Sequence, residues 1–402
     1  MSASTELALL PNLGGEEGDR WRKMRTEPAV ASAAALWCSL FGRSARVAGS
    51  RASPWDEPAF DWLPTDGALA WWGDTSASGD PALAGKRWRG AAPQATEAVH
   101  DKAFAAGNGA PPPALRGVSA VFEPDELRCT DEAVPRLQEA LARWPADWRR
   151  QFCLKPRLGS SGRGRVLGRD GDPDTAAIRG ALPRLARCGG AILEPWLDRT
   201  RDLSVSFLIG EARDGPPLHL LGSLTSIQRD AGVPLGHHGE IDSRGRIYSG
   251  STFDDALREA GSELALAASE RGYRGPCGVD ALTFRGPDGA DTLRPTVELN
   301  ARFTMGIVAL GCIRRARDEL KRQLGVEPGM RAGVVMIYNL PEGDWQRVGA
   351  DFVLPIRTLA RSRDGGGPAI LGCRDPERLD AIVADLRDTA GPSTAKPATR
   401  ED

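Results

Sequence analysis

The sequence predicts an α/β protein with several structural units. Short apolar runs of strand length alternate with segments that carry apolar residues at helical spacing along most of the 402 residues. At roughly 100 to 200 residues per domain, this length corresponds to two to four units. A content of 41% hydrophobic and 26% charged residues suffices to bury a large core, which excludes a wholly disordered or collagen-like chain.

The first unit is predicted as an N-terminal α/β domain of residues 1–105. Its first apolar run predicts a buried strand at 5–10. The other expected elements are a helix at 29–41, strands at 45–48 and 68–72, and a short helix at 96–104. A stiff, turn-rich connector at 108–113 follows the last of these elements and marks the boundary.

The rest of the chain is predicted to form two subdomains, at 106–197 and 198–330, and a strand and helix extension at 331–388. Residues 389–402, rich in Pro, Ser, Thr and Ala, are expected to be a disordered tail. The expected strands lie at 152–155, 191–196, 203–209, 218–228, 245–250, 333–340 and 351–356, with a hairpin of 278–284 and 296–302. Helices are expected around Leu141, Leu264, Leu320 and Ile382.

Charge and cysteine content limit the possible partners and location. Lys and Arg total 52 against 54 for Asp and Glu, and no long run of one sign occurs, so we expect no nucleic-acid partner. The start of the chain has no basic segment and no apolar run longer than Leu7–Leu10, which predicts a cytoplasmic protein with no membrane partner. The seven cysteines include no CxxC pair, so we expect free thiols in packed interiors.

A glycine-rich turn follows the predicted strand at 152–155. It begins at Lys155 and contains Gly159, Gly162 and Gly164. Glycines allow backbone N–H groups to surround phosphate oxygens, and a lysine beside them adds a positive charge. The turn has neither the Walker A spacing nor the dinucleotide GxGxxG spacing. It is a candidate phosphate site, and a plain hairpin turn is the alternative.

A row of polar residues lies on the second strand of the predicted hairpin. Side chains at i and i+2 share a face of a strand, so Glu298, Asn300 and Arg302 are expected to point the same way. A carboxylate and an amide oxygen suit Mg²⁺, and Asp280 on the preceding strand offers a second carboxylate. A solvated polar face on an edge strand is the alternative, although apolar neighbours such as Val297 weaken it.

Two adjacent histidines invite a metal hypothesis that their spacing does not support. His237 and His238 point apart, and no third ligand has suitable spacing. We expect a loop between the strands at 218–228 and 245–250 that presents these histidines and Arg229 to a substrate. An ordinary polar surface loop is the slightly favoured alternative for each residue separately.

Taken together, these features resemble the ATP-grasp superfamily of carboxylate ligases, and their order along residues 96–312 matches that family. The resemblance assigns metal ions to Asp280, Glu298 and Asn300, and ribose to Asp202. It assigns ATP binding to Lys102 in AVHDKAF, to Lys155 with Gly159, Ser160, Ser161, Gly162 and Gly164, and to the adenine hinge of Glu194, Pro195, Trp196 and Leu197. Lys102 and Lys155 are two of only six lysines in the chain.

The resemblance implies an ATP-grasp fold, α/β or α+β, with an N-terminal pre-grasp domain, a small lid subdomain and a larger C-terminal subdomain. It implies an ADP-forming ligase in which ATP with Mg²⁺ or Mn²⁺ phosphorylates a carboxylate, and an amine then displaces phosphate. Arg302 makes the last motif E-x-N-x-R, which is similar to the biotin carboxylase branch, and is implied with Lys155 as catalytic. An acid-thiol ligase, a carboxylating enzyme and a non-catalytic nucleotide-binding protein remain alternatives.

Some features depart from the family pattern. Residues 1–95 match no member, and the glycine-rich turn carries three arginines, Arg157, Arg163 and Arg165. The sequence therefore leaves open the identity of the small-molecule carboxylate and amine, and also the oligomeric state.

Overall fold

Three β-sheets with helices packed on them make up the described part of this computed structural model, so the predicted α/β class is confirmed. The structure describes residues 6–16, 21–43, 45–47, 50–51, 55–73, 80–159, 162–210, 217–229, 234–286, 288–340, 348–356 and 366–389.

The N-terminal sheet has the strand order β3-β2-β1-β4. Its strands are β1 (Leu7–Leu10), β2 (Ala45–Val47), β3 (Ser50–Arg51) and β4 (Ala68–Ala70), and the helices up to the next sheet are α1 (Trp21–Met24), α2 (Pro28–Ser39), α3 (Pro93–His100) and α4 (Lys102–Asn108). Strand β1 pairs in parallel with β2 and β4. Beyond its carboxyl end, the buried Asn12 exchanges two hydrogen bonds of 2.9 Å with the backbone of Trp72. These bonds hold residues 11–16 against the segment that follows β4.

The helix predicted at 96–104 is two helices. Asp101 interrupts it with φ −56° and ψ 125°, and its carboxylate accepts the N–H of Ala103 at 2.8 Å. This bond caps the N-terminus of α4. The break therefore places Lys102 at the first position of a new helix.

The middle sheet is antiparallel, with the order β5-β8-β6-β7. Its strands are β5 (Ala120–Phe122), β6 (Gln151–Pro156), β7 (Val166–Arg169) and β8 (Ala191–Pro195), and its helices are α5 (Pro124–Arg128), α6 (Thr130–Ala142), α7 (Ala146–Arg149) and α8 (Ala176–Arg187). Leu137, Phe152 and Leu182 belong to its buried core. Because β6 and β8 are neighbours, the sheet brings the predicted phosphate lysine and the predicted hinge together.

The large sheet follows the order β14-β13-β9-β10-β11-β15-β17-β16, with β12 paired to β11. Its strands are β9 (Arg199–Ile209), β10 (Leu218–Gln228), β11 (Pro234–Asp242), β12 (Ile247–Tyr248), β13 (Gly275–Arg285), β14 (Asp291–Asn300), β15 (Arg331–Leu340), β16 (Phe352–Pro355) and β17 (Gly367–Cys373); its helices are α9 (Asp254–Glu270), α10 (Met305–Leu324) and α11 (Leu379–Thr389). The predicted hairpin is confirmed as β13 and β14. The strands of the predicted C-terminal extension join this sheet through the pairing of β15 with β11.

Helix α10 connects the large sheet with the N-terminal unit. Its buried residues share one hydrophobic core with those of α2 and of strands β10, β11 and β15. A Cβ at Gly311 would lie 2.7 Å from the side chain of Leu40 and 3.0 Å from that of Phe60. A larger residue at this position would therefore force the side chain of Leu40 to move. Helices α3, α4 and α9 share a second core with Val205 and Phe207 of β9.

The predictions for cysteines and for the chain end have mixed outcomes. All seven cysteines are free thiols, and five of them are buried. The prediction of burial is wrong for Cys129, which is exposed at the start of α6, and for Cys188, which is half-buried. Among the described helices, none is long and apolar enough to cross a membrane. Helix α11 extends to Thr389, where the disordered tail was expected to begin, and the rest of that tail lies outside the described residues.

Candidate active site

The two predicted phosphate lysines line one cleft, although they come from different units of the fold. Lys102 begins α4, and Lys155 lies on β6. The cleft contains about 600 Å³ of empty space, a figure that includes open solvent. Its other polar lining residues include Glu194 from β8 and Arg294 and Thr296 from β14. The cleft thus lies between the middle and large sheets.

Lys102 joins the glycine-rich turn to the large sheet. Its Nζ donates to the carbonyl oxygen of Gly159 at 2.8 Å and lies 3.3 Å from Oε2 of Glu298. Arg157 strengthens the connection, since its guanidinium donates to the Asp101 carboxylate and its carbonyl accepts the N–H of Lys102 at 3.1 Å. The start of α4 therefore contacts both the turn and Glu298. We call Glu298, Asp280 and Asn300 together the acidic row.

Glu194 contacts two cations inside the cleft. Lys155 Nζ forms an ion pair with Oε1 of Glu194, and Nη2 of Arg294 donates to Oε2 at 2.7 Å. Burial alone would raise the pKa of Glu194, but Arg294 and Lys155 outweigh it and lower this pKa to about 2. Burial alone would lower the pKa of Lys155, but the charge and hydrogen bond of Glu194, together with Cys153, outweigh it and raise this pKa. Glu194 and Lys155 are therefore both charged near neutral pH.

The predicted adenine hinge has one backbone donor that remains available. Pro195 has no N–H, and the N–H of Trp196 donates to Gln151 at 2.9 Å. No backbone hydrogen bond from the N–H of Leu197 occurs within the described part of the chain. The indole of Trp196 is flanked by Arg165 and Arg199, whose guanidinium carbons lie 4.9 and 5.3 Å from its ring centroid. The hinge can thus offer the Leu197 N–H to a planar base.

Asp280 and Glu298 lie directly opposite each other on β13 and β14. Nδ2 of Asn300 donates to Oδ2 of Asp280 at 3.0 Å, which leaves the amide oxygen of Asn300 for another partner. Burial and the charge of Glu298 raise the pKa of Asp280. The pKa of Glu298 is lowered despite its burial, because Lys102 and Lys155 are close. Two facing carboxylates of this kind require a shared proton or a cation between them.

The donor set of this acidic row fits a hard cation. Two carboxylates and one amide oxygen are ligands that Mg²⁺ accepts, and the rest of its shell commonly comes from substrate phosphates and water. The described residues contain no cluster of three or more His, Cys, Asp or Glu side chains arranged to hold a metal. The row would therefore hold Mg²⁺ together with a bound phosphate.

Arg302 does not lie on the strand with Glu298 and Asn300, as the sequence pattern predicted. Strand β14 ends at Asn300, and the N–H of Arg302 turns back to the Asn300 carbonyl at 2.8 Å. The guanidinium instead lies 3.3 Å from Oε1 of the buried Glu16 and stacks over Trp71 at 5.8 Å. Its charge still acts on Asp280. Arg302 thus links the acidic row with the segment that follows β1.

His100 is a residue of this region that the sequence analysis missed. It is 3% exposed, and its ring centroid lies 4.6 Å from that of Trp72. The N–H of Ala301 donates to Nδ1 of His100 at 3.3 Å. Burial and the charge of Arg302 lower the pKa of His100 to about 3. Its position next to Asp101 and Lys102, in a chain with four histidines, is the one sequence signal that could have indicated it.

The glycine-rich turn requires glycines where the sequence has them. Gly159, Gly162 and Gly164 have φ values of 139°, 65° and 76°, which other residues rarely adopt. Ser160 and Ser161, also predicted to bind ATP, lie outside the described residues. Between the glycines, Nη1 of Arg163 lies 3.5 Å from Sδ of Met24. The turn therefore reaches the N-terminal unit.

Asp202 was expected just before a strand, and this placement is wrong. It lies within β9, where its Oδ1 accepts a hydrogen bond from Arg199 at 3.1 Å. Strand β9 begins three residues earlier because Arg199 to Arg201 pair with β13. Asp202 is not among the residues that line the cleft. Its assignment to ribose stays a prediction.

The loop predicted to present His237 and His238 is a strand. Both residues lie in the middle of β11 and are buried between β10 and β15. Burial lowers the pKa of His237 to about 3 and that of His238 to about 4. Nδ1 of His237 contacts the hydroxyl of Tyr338. Arg229, just beyond β10, is half-buried, and the role of these residues in substrate binding stays a prediction.

Comparisons with known proteins give a likeness in structure only. No protein-family model matches the chain, and no curated protein matches its sequence. A carboxyaminoimidazole ribonucleotide synthase from Aspergillus clavatus, solved with ATP, is 15% identical over 96% of this chain and 98% of that one, with a TM-score of 0.49.

Two other solved structures match a smaller part of the chain. Biotin carboxylase from Campylobacter jejuni is 15% identical over 71% of this chain, with a TM-score of 0.43, and the match spans 65% of its length. An N5-carboxyaminoimidazole synthetase from Staphylococcus aureus is 12% identical over 72% of this chain and 71% of that one, with a TM-score of 0.40. Such low similarity carries no conclusion about the activity of this chain.

Proposed function

We propose that the chain is an ATP- and Mg²⁺-dependent ligase that activates a carboxylate as an acyl phosphate and couples it to an amine, releasing ADP and phosphate. The ion pair between Lys102 and Glu298 is the observation that carries this proposal. Lys102, the cation that we propose binds phosphate, thus lies against the acidic row, in the cleft that also contains Lys155. Nucleotide phosphates and a metal ion would therefore meet at one point.

The cleft and the hinge that continues from its residues Glu194 and Pro195 would contact the two ends of ATP separately. The free N–H of Leu197 would bind the base at the hinge, and Lys102 and Lys155 would bind the phosphates. Glu194 keeps Lys155 in the cleft, and Arg294 shares the charge of this carboxylate. Phosphate binding to Lys155 then needs only a small movement of its side chain, because the ammonium group already lines the cleft.

The acidic row would hold Mg²⁺, which neutralises phosphate charge when bound. Asp280 and Glu298 supply the carboxylates, and Asn300 supplies its amide oxygen. Asn300 also keeps Asp280 oriented through its Nδ2. The chain thus positions the terminal phosphate between this row and the cation of Lys102, and positioning with charge neutralisation supplies most of the rate in phosphoryl transfer.

Arg302 would bind the carboxylate that receives the phosphoryl group. Its guanidinium lies beyond the end of β14, and Glu16 and Trp71 fix its orientation. A guanidinium suits a planar carboxylate because it can donate two parallel hydrogen bonds. The amine then attacks the activated carbon, and phosphate leaves.

A carboxylating enzyme, in which bicarbonate is the activated carboxylate, shares the same first step. Release of ADP from MgATP, measured with bicarbonate and with a panel of amino acids and short peptides, tests both reactions. Stimulation by bicarbonate alone would favour the carboxylating reaction. Lys155→Ala should abolish the stimulated rate, while Lys321→Ala, outside the cleft, should retain it. Absence of ADP release under every condition would favour a non-catalytic nucleotide-binding protein.

A further inference from the structure

His100 has one ring nitrogen that the described residues leave without a partner. The imidazole is buried against Trp72 at the end of α3, directly before Asp101 and Lys102. Nδ1 accepts the N–H of Ala301, whereas Nε2 is buried and forms no hydrogen bond within the described part of the chain. Buried polar atoms without partners are rare, so this nitrogen calls for an explanation.

The contact with Ala301 fixes which nitrogen carries the proton. Because Nδ1 accepts a hydrogen bond, it carries no proton, and the proton of the neutral ring is on Nε2. Nε2 lies on the opposite edge of the ring from Nδ1 and therefore points away from Ala301. His100 thus presents a rigid, uncharged N–H donor.

The charges around this donor belong to the candidate active site. The charges of Lys102, Glu298, Arg302 and Glu16 all act on the His100 ring, whose Nδ1 is bonded to the residue directly after Asn300. They form two ion pairs, and the proposed function assigns Lys102 and Glu298 to the terminal phosphate with its metal ion, and Arg302 to the carboxylate that receives the phosphoryl group. A hydrogen-bond donor at this position suits an oxygen of that group.

We propose that His100 contacts the substrate directly, and that its Nε2–H donates to an oxygen of the phosphoryl group that ATP transfers. This inference rests on the proposed function, since it requires ATP in the cleft. His100 then acts together with Lys102, the lysine two positions later, on the terminal phosphate. Ala301 is a backbone anchor that keeps the ring in the correct tautomer.

Two substitutions separate this role from a purely structural one. His100→Asn keeps a short acceptor near the position of Nδ1, so it preserves the bond from Ala301 but removes the Nε2 donor. His100→Gln places an amide N–H near the position of Nε2 but removes the Nδ1 acceptor. Calorimetry then measures the affinity of each variant for Mg²⁺ with a non-hydrolysable ATP analogue and with ADP. The ratio of the two affinities reports contacts to the terminal phosphate.

We expect His100→Asn to lower the affinity for the ATP analogue roughly tenfold or more, as for loss of a hydrogen bond to a charged oxygen, with ADP affinity unchanged. His100→Gln should retain most of the preference for the analogue. The assignment would be overturned if neither variant changes the ratio of analogue affinity to ADP affinity. It would also be overturned if only His100→Gln lowers this ratio. If the wild-type protein binds the analogue and both variants keep the same ratio of affinities, the assignment of His100 is wrong and the proposed function stands. If the wild type binds neither nucleotide, both the assignment of His100 and the proposed function are wrong.

A measurement on the wild-type protein covers the case in which the variants do not fold. The chain has only four histidines, so ¹⁵N labelling of histidine gives few ring signals. One Nε2–H signal should shift when the ATP analogue binds and should shift much less with ADP. Equal shifts with both nucleotides, or no shift with either, would exclude a contact between His100 and the terminal phosphate.

Discussion

Nζ of Lys102 lies 3.3 Å from Oε2 of Glu298 and 2.8 Å from the carbonyl oxygen of Gly159. A single ammonium group therefore connects the acidic row of the large sheet with the glycine-rich turn of the middle sheet. Because the cleft opens between these sheets, a phosphate and a metal ion bound as proposed would meet at this ammonium group.

Lys155→Ala is expected to weaken binding of a non-hydrolysable ATP analogue by about 10- to 100-fold, because one charge-assisted contact to phosphate is lost. The fold should persist, since Arg294 still neutralises Glu194. Calorimetry measures the affinity, and Lys321→Ala on α10 serves as the matched control. Unchanged affinity in a folded Lys155→Ala protein would remove this lysine from the site.

Glu298→Gln and Asn300→Ala are expected to reduce Mg²⁺-dependent turnover at least 100-fold while most of the nucleotide affinity remains. The reason is that, in the proposed function, the hinge and Lys155 would bind ATP separately from the acidic row. Steady-state kinetics at several Mg²⁺ concentrations give the comparison, with the half-buried Glu319→Gln on α10 as control. Full activity of either variant would refute the metal assignment.

The pairing of Glu194 predicts a particular dependence of stability on pH. Its pKa falls from 4.5 to about 2 in the folded chain, so the folded state is stabilised by on the order of 3 kcal/mol above pH 4.5. This stabilisation is lost as the pH falls from 4.5 towards 2. Chemical unfolding of wild type and Glu194→Gln at several pH values checks the prediction. The free-energy difference between the two should shrink over this interval, and a constant difference would contradict it.

Arg302→Lys is expected to lower kcat at least tenfold and to leave the affinity for ATP nearly unchanged. A lysine keeps the charge but cannot make two parallel hydrogen bonds to a carboxylate or stack on Trp71 in the same way. Arg322→Lys, on the exposed side of α10, is the control. A loss of ATP affinity equal to the loss of kcat would assign Arg302 to the nucleotide and not to the acceptor.

Local motifs were sufficient to predict the residues whose roles depend on their own segment. Lys155 follows a strand and precedes glycines that adopt positive φ, so its neighbourhood is encoded within ten residues. Asp280 and Glu298 face each other because they lie on the two strands of one hairpin. The alternation of polar and apolar residues in the sequence indicates this hairpin. Lys102 was found through the ordered resemblance and not from its own surroundings.

Residues that depend on contacts between units could not be predicted in this way. Glu16 meets Arg302 only because the N-terminal sheet packs beside the end of β14, and Arg294 meets Glu194 across two sheets. The alternation of polar and apolar residues predicted that the strand continues to Arg302. The backbone instead turns after Asn300, and the N–H of Ala301 donates to His100. Strand β11 was missed because its glycines and histidines have low strand propensity. Pairing with β10 and β15 overrides that preference.

Product analysis tests the central claim most directly. Once turnover is found with any carboxylate, chromatography of the nucleotides and an assay for phosphate and pyrophosphate identify which bond of ATP is broken. The position of Lys102 against Glu298 predicts attack at the terminal phosphate, and therefore ADP and inorganic phosphate in equal amounts. AMP with pyrophosphate would place the reaction at the α-phosphate and would contradict both the acyl phosphate mechanism and the role given to Arg302.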